Sequence, residues 1–236
     1  MKIKTLLLPF AAVFCLWNEG SGALAASVVV GDPQLYGHAE NGFPFSTLPG
    51  YYGYENTRYQ QVYAARSFPG PISIDELVFY ASSNAGAPIL GAYFEFFLSV
   101  TDRGVNEISD RPFDANLGPD TRLFAAFMGG STLGGSDFVV DGTRFFYDPG
   151  LGNLLLDIRV YGARPGQVGP FFAATGPANL SDGGLAPFSR WHNFGTGFDN
   201  LGLVTEFRTM VPESGTLALL ALGITALGLL RRRMKH

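Results

Sequence analysis

The sequence predicts an all-β protein: an antiparallel β-sandwich of jelly-roll type, flanked by an N-terminal signal peptide and a C-terminal transmembrane helix. Three observations carry this reading. Between residues 26 and 210 no window keeps the i, i+3, i+4, i+7 apolar spacing of an amphipathic helix over three turns without Gly or Pro. The same region alternates apolar and polar residues in short runs, separated by turn signals such as Asp141-Gly142, Asp148-Pro149-Gly150 and Ser181-Asp182-Gly183-Gly184. The composition, 47% hydrophobic with 31 Gly, 15 Pro and 21 Phe in 236 residues, is that of an ordered, turn-rich chain; it suffices for a core without disulfides, which a single cysteine could not form.

Residues 1–25 come first. Lys2 and Lys4 precede the apolar run 5–17, and a polar stretch leads to Ala23-Leu24-Ala25, the charged, apolar and small-x-small regions of a secretory signal cleaved after Ala25. A buried helix would have to carry Pro9 in its interior. Phe14 stands before Cys15 where a lipoprotein signal needs a small side chain, so the exported chain is expected to keep no cysteine.

The exported region, 26–210, supplies the strands. The clearest is 91–101, with Ala92, Phe94, Phe96, Leu98 and Val100 on one face and Tyr93, Glu95, Phe97, Ser99 and Thr101 on the other. In 152–162 Leu154, Leu156, Ile158 and Val160 point inward and Leu155, Asp157, Arg159 and Tyr161 outward, and 201–209 alternates likewise. Further strands are expected at 27–30, 58–66, 72–80, 121–128, 138–140, 143–147, 171–174 and 188–194. Within 72–80 the apolar parity slips between Ile74 and Leu77, which a bulge near Asp75-Glu76 would repair. Residues 31–57 lack a strand period and read as a long ordered loop. No repeat and no linker divides the region, so one domain is expected.

At the other end, residues 215–230 are 16 uncharged residues, followed by Arg231, Arg232, Arg233 and Lys235. As a helix they span about 24 Å, just enough to cross a ~30 Å hydrocarbon core with help from Met210, Val211 and snorkelling arginines. The run has no polar face, and the basic cluster acts as a cytoplasmic membrane stop, leaving residues 26–210 on the far side of the membrane.

The order Val211-Pro212-Glu213-Ser214, then the apolar run 215–230, then the basic tail 231–236, resembles the PEP-CTERM sorting signal of Gram-negative bacteria. The resemblance covers about the last 26 residues. One position differs, the family's final proline being Ser214 here. The resemblance implies that an exosortase reads Val211, Pro212 and Glu213, that the helix is a temporary membrane anchor, and that the protein ends at the cell surface or in an exopolysaccharide matrix. Within residues 26–210 no characterised family is matched.

Charge narrows the partners. Residues 26–210 hold ten arginines, no lysine and 18 acidic residues, a net charge of −8 against −4 for the whole chain. Such a domain has no basic stripe for nucleic acid. Enzyme signatures are also missing: there is no Gly-x-Ser-x-Gly, and without lysine or cysteine the Ser-Lys and Cys-His mechanisms are excluded. His38 and His192 read as loop or surface residues, so no catalytic residue is assigned. The alternative, a polysaccharide-processing hydrolase, would use Glu95, yet no strand carries two acids two residues apart on one face.

Two binding chemistries remain. No cofactor is expected beyond structural calcium, for which Asp102, Asn106, Glu107 and Asp110, with Asp114 and Asp120, or separately Asp137, Asp141 and Asp148, offer hard oxygen ligands; Asx-turns at strand ends use the same residues. Sugar binding is suggested by Tyr51, Tyr52 and Tyr54 in the long loop and by Trp191 beside His192, since flat rings stack on pyranoses. The expected function is a structural or carbohydrate-binding component of the surface or matrix.

Overall fold

Alternating apolar residues need a facing layer to bury their inner side, and here two sheets supply it to each other. The computed structural model describes residues 27–33, 40–46, 56–109, 112–135, 137–164, 166–174, 188–192 and 201–210; the signal and sorting segments lie outside them. Eleven strands form among the described residues: β1 (Ser27–Val30), β2 (Glu40–Asn41), β3 (Asn56–Tyr63), β4 (Ile72–Phe79), β5 (Tyr93–Thr101), β6 (Arg122–Met128), β7 (Phe138–Tyr147), β8 (Asn153–Tyr161), β9 (Phe172–Ala173), β10 (Phe188–His192) and β11 (Thr205–Arg208). A four-stranded sheet has the order β1-β11-β4-β7, a five-stranded sheet the order β10-β3-β8-β5-β6, and β2 pairs with β9 apart from both. All pairings are antiparallel. The expected all-β sandwich is the observed architecture.

The inner faces meet in an aromatic core. Phe79 of β4 faces Phe96 of β5 at 6.5 Å between ring centroids, and Tyr63 of β3 meets Phe207 of β11 edge-on at 4.9 Å. Phe45, fully buried, comes from the loop after β2 and sits among Phe79, Phe94, Phe138 and Phe172 at 5.0–5.8 Å, plugging one end of the sandwich. Phe68 plugs the other end, against Tyr147 at 4.8 Å and Phe207 at 5.2 Å. Between the sheets, Gln61 Nε2 donates to Leu203 O (2.9 Å) and Tyr63 Oη pairs with Thr205 Oγ1 (2.7 Å), so the buried polar groups of β3 fasten the entry to β11.

The expected irregularity at Asp75-Glu76 is present: the β4–β7 register shifts between Ile74 and Glu76, and Ile72, Ile74, Leu77 and Phe79 all lie in the core. Two expectations are corrected. Asp141-Gly142 is not a turn between two strands, because β7 runs unbroken from Phe138 to Tyr147. Gly142 is there for space: a Cβ would lie 2.4–2.5 Å from the ring carbons of Phe124, which reaches across from β6. The long loop also contains a strand, β2, too short for alternation to reveal.

Both chain-linking ends leave the sandwich on one side. Ser27 lies opposite Arg208 on neighbouring strands, Arg208 opposite Glu76, and Ile72 opposite Tyr147. Met210 N–H donates to Asp75 Oδ2 (2.8 Å), which also accepts from Arg144, and Thr209 Oγ1 donates to Ser73 O (2.5 Å). The connections 64–71 and 148–152 close this exit end, where Ala65 N–H bonds Asn153 Oδ1 at 2.8 Å. β5 and β8 start or finish opposite it, so Tyr93 and Tyr161 lie at the other end, about 27 Å away along β5.

Candidate functional site

Strand parity puts every second residue of the five-stranded sheet on its outer face, and the register then decides which of them meet. Across β3, β8, β5 and β6 the first row is Asn56, Tyr161, Tyr93 and Met128, and the second is Arg58, Arg159, Glu95 and Ala126. The third is Gln60, Asp157, Phe97 and Leu123, and the fourth begins Val62, Leu155 and Ser99.

The β3 and β8 side of the third row, Gln60 and Asp157, and the fourth row are roofed by the chain between β5 and β6. Val62, Leu155 and Ile108 form a second apolar cluster with Val105, Phe113 and Leu117 packed on it. Asn116, fully buried, donates to Gln60 Oε1 (2.7 Å) and to Ser109 O (2.8 Å), while Gln60 Nε2 donates to Phe113 O (3.1 Å). Gly118 presses on β5 so closely that a Cβ would stand 1.6 Å from the Val100 carbonyl oxygen. Asp157, 1% exposed, is the pivot: Arg58 holds both its oxygens at 2.7 and 2.8 Å, and Arg159 reaches Oδ2 at 3.1 Å. Arg58 continues to Asp114 of the roof at 2.8 Å and lies over the Phe113 ring at 5.2 Å.

The first two rows stay open. Tyr93 and Tyr161 are 38% and 39% exposed, their ring centroids 6.3 Å apart and their planes tilted by 33°. Tyr161 Oη donates to Glu95 Oε2 (3.2 Å); burial first, and then the Glu95 charge, pushes its phenol up from the ordinary range. The Arg159 guanidinium carbon lies over the Phe97 ring, 4.3 Å from its centroid. Met128, opposite Tyr93, is 67% exposed, and Leu123, opposite Phe97 in the third row, is 47% exposed. Ala126 and Met128 also line a cleft of about 320 Å³ between β6 and β7, whose wall includes Phe138 and Val140. The face therefore combines two adjacent ring surfaces with a carboxylate, a guanidinium and an amide in the neighbouring positions. Stacking on apolar C–H faces and hydrogen bonding to hydroxyls is the chemistry such a set can perform.

The residues expected from sequence fall in different places. Tyr51, Tyr52, Tyr54 and His38 lie outside the described residues, as do Asp110, Val211, Pro212, Glu213, Arg231, Arg232 and Arg233. Trp191 and His192 are in β10, their backbones opposite Gln60 and Tyr59, which puts Trp191 in register with the third row. Asp102 is exposed, 3.9 Å from Arg103, Asn106 has a left-handed backbone (φ 71°), and Glu107 Oε2 accepts from Gly104 N–H at 3.1 Å. Asp114 pairs with Arg58, and Asp120, Asp137 and Asp148 each accept a backbone N–H, from Val100, Ala81 and Gly150. Among the described residues no three His, Cys, Asp or Glu side chains converge as a metal site. Glu95 alone of the sequence candidates with resolved side-chain contacts stands on the open face. Tyr93, Tyr161 and Arg159 were not singled out, although their outward parity was plain; what was missing was the register that brings them together.

No protein-family model and no curated protein matches the chain. Two solved structures show partial similarity: T=1 particles derived from infectious bursal virus, at 14% identity over 84% of this chain and 46% of that chain with a TM-score of 0.27, and the infectious bursal disease virus Gt strain, at 14% identity over 86% and 50% with a TM-score of 0.26. The chain spans about half the length of those chains.

Proposed function

We propose that the chain is a carbohydrate-binding protein of the cell surface or exopolysaccharide matrix, exported by its signal segment, held by residues 215–230 and released by an exosortase acting at Val211, Pro212 and Glu213. The observation that carries the binding part is the Tyr93–Tyr161 pair, half-exposed beside Glu95 and Arg159 at the end away from both chain exits. A polymer reaching an anchored molecule from outside would meet that end first. The sorting part rests on the tripartite C-terminal sequence and is consistent with both ends leaving the sandwich together. We also read the sandwich as a jelly roll: β1 pairs with β11, β3 with β8, β4 with β7 and β5 with β6, the nested order of a rolled-up hairpin.

Binding is preferred to hydrolysis for a specific reason. A glycosidase needs a second carboxyl group facing Glu95 across the scissile bond. The acid in the next row, Asp157, is held by two arginines and closed off by the roof. A glycan array on the mature chain, run with and without calcium, tests the proposal: binding to a polysaccharide that falls when Tyr93 and Tyr161 are replaced supports it. No binding to any polysaccharide, the host's own included, refutes the carbohydrate part. Recovery of residues 231–236 on the surface form by C-terminal mass spectrometry refutes the processing part.

A further inference from the structure

Large apolar side chains are exposed at the exit end as well, and there the neighbouring sequence says what could cover them. Leu151, on the 3-10 turn Pro149–Leu151, is 75% exposed; Met210 is 57% and Phe146 58% exposed. Pro69 and Pro71 are exposed in the connection beside them. Singly such residues are ordinary on a protein surface. Together they ring the point at which the chain leaves, and that point is rigid: Thr209 and Met210 are tied to Ser73 and Asp75, and Arg144 Nη2 donates to Met210 O at 3.3 Å.

Only residues 211–214 separate this clamp from the apolar run 215–230. Four residues reach at most about 14 Å when fully extended. With the run in a bilayer, the exit end cannot stand further from the lipid surface than the depth of the headgroup region. Charge at this end is mixed rather than uniformly acidic: Asp75 is paired with Arg144 at 2.8 Å and Arg66 is exposed on the connecting turn, beside the exposed Asp102. We propose that this end is a membrane-contact surface, in which Leu151, Phe146 and Met210 seat against the lipid headgroup boundary while the chain is anchored. The occupant is the bilayer itself. Seating would stand the sandwich upright, with the Tyr93–Tyr161 row pointing away from the membrane.

This inference rests on residues 215–230 being a membrane anchor, so its experiment reads anchoring and seating separately. The mature chain beginning at Ala26 has no cysteine, which allows one environment-sensitive dye at Leu151→Cys and, as a control at the other end, at Gly86→Cys, where a side chain meets open space. Each protein is reconstituted in phosphatidylethanolamine–phosphatidylglycerol vesicles, and co-flotation with lipid is recorded first. For chains that float, the proposal expects a blue shift and several-fold stronger quenching by headgroup-proximal lipid quenchers at position 151 than at position 86. Phe146→Asp, which alters only an exposed side chain of the folded domain, should sharply reduce the difference without changing flotation. Equal, water-like signals at both positions in floating chains overturn the contact surface while leaving the anchor intact. Failure to float overturns the anchor reading and the contact surface with it.

Discussion

Replacing Arg58 by Met keeps the length of the side chain and removes the guanidinium that holds Asp157. The carboxylate is 1% exposed and takes bonds of 2.7 and 2.8 Å from Arg58, keeping afterwards only Arg159 at 3.1 Å. Breaking a buried ion pair from one side costs about 3–5 kcal/mol. Because Arg159 remains, the lower end applies, about 3 kcal/mol; the exposed Arg58–Asp114 contact adds less than about 1 kcal/mol. For residues 26–210 the entropy of unfolding is about 0.4 kcal/mol/K, so the melting temperature should fall by roughly 8 °C. Calorimetry of the mature chain measures this, and hydrogen exchange should show the roof over the third and fourth rows opening with it. Adding Asp157→Leu removes the stranded charge and should restore more than half of the loss. A drop below about 2 °C for Arg58→Met alone, or no recovery in the double variant, would refute the assignment of Asp157 as the pivot.

Three further outcomes follow from the same geometry. Gly142→Ala forces a methyl group against the Phe124 ring and should cost about 1–3 kcal/mol in urea unfolding; in a Phe124→Leu background most of that cost should vanish, and additive losses would count against the contact. The hydrogen bond from Arg144, opposed by burial and helped by Met210 N–H, holds the Asp75 carboxyl below its usual range. A depressed folded value means that the stabilisation is present above the ordinary carboxylate range and is lost as pH falls through the folded value, so the Met210 amide resonance should titrate only below that ordinary range and not in Asp75→Asn. Burial raises the phenols of Tyr63 and Tyr147, and burial followed by the Glu206 hydrogen bond raises Tyr80 to about 12. Raised values keep their stabilisation below the unfolded phenol value and lose it above, so the urea midpoint should decline from about pH 10 upward; a flat profile to pH 11 would contradict these burials.

What could be read from the sequence was set by periodicity. Alternation over nine residues found β5 and β8, and the slip between Ile74 and Leu77 found the bulge, because each is a local pattern. Asp141-Gly142 misled because a glycine that makes room for a ring on a distant strand has the same local signature as one in a turn. Alternation puts Leu155 and Asp157 outward, and they are outward but buried, since the roof that covers them is a property of the fold and not of their strand. The site was missed for the same reason. Tyr93 and Tyr161 are 68 positions apart, and only the β5–β8 register makes them neighbours. Loop aromatics such as Tyr51 and Tyr54 stand out in the sequence because they break the strand pattern, whereas the residues that form the open face obey it.

The central claim is that the face carrying Tyr93 and Tyr161 binds a polysaccharide, and calorimetric titration tests it most directly. The mature chain is titrated with the polysaccharide selected on the array, beside a Tyr93→Ala/Tyr161→Ala variant whose melting temperature is measured alongside. Two stacking contacts of about 1 kcal/mol each predict a loss of affinity of roughly 30-fold in the folded variant. Unchanged affinity in that variant would contradict the account.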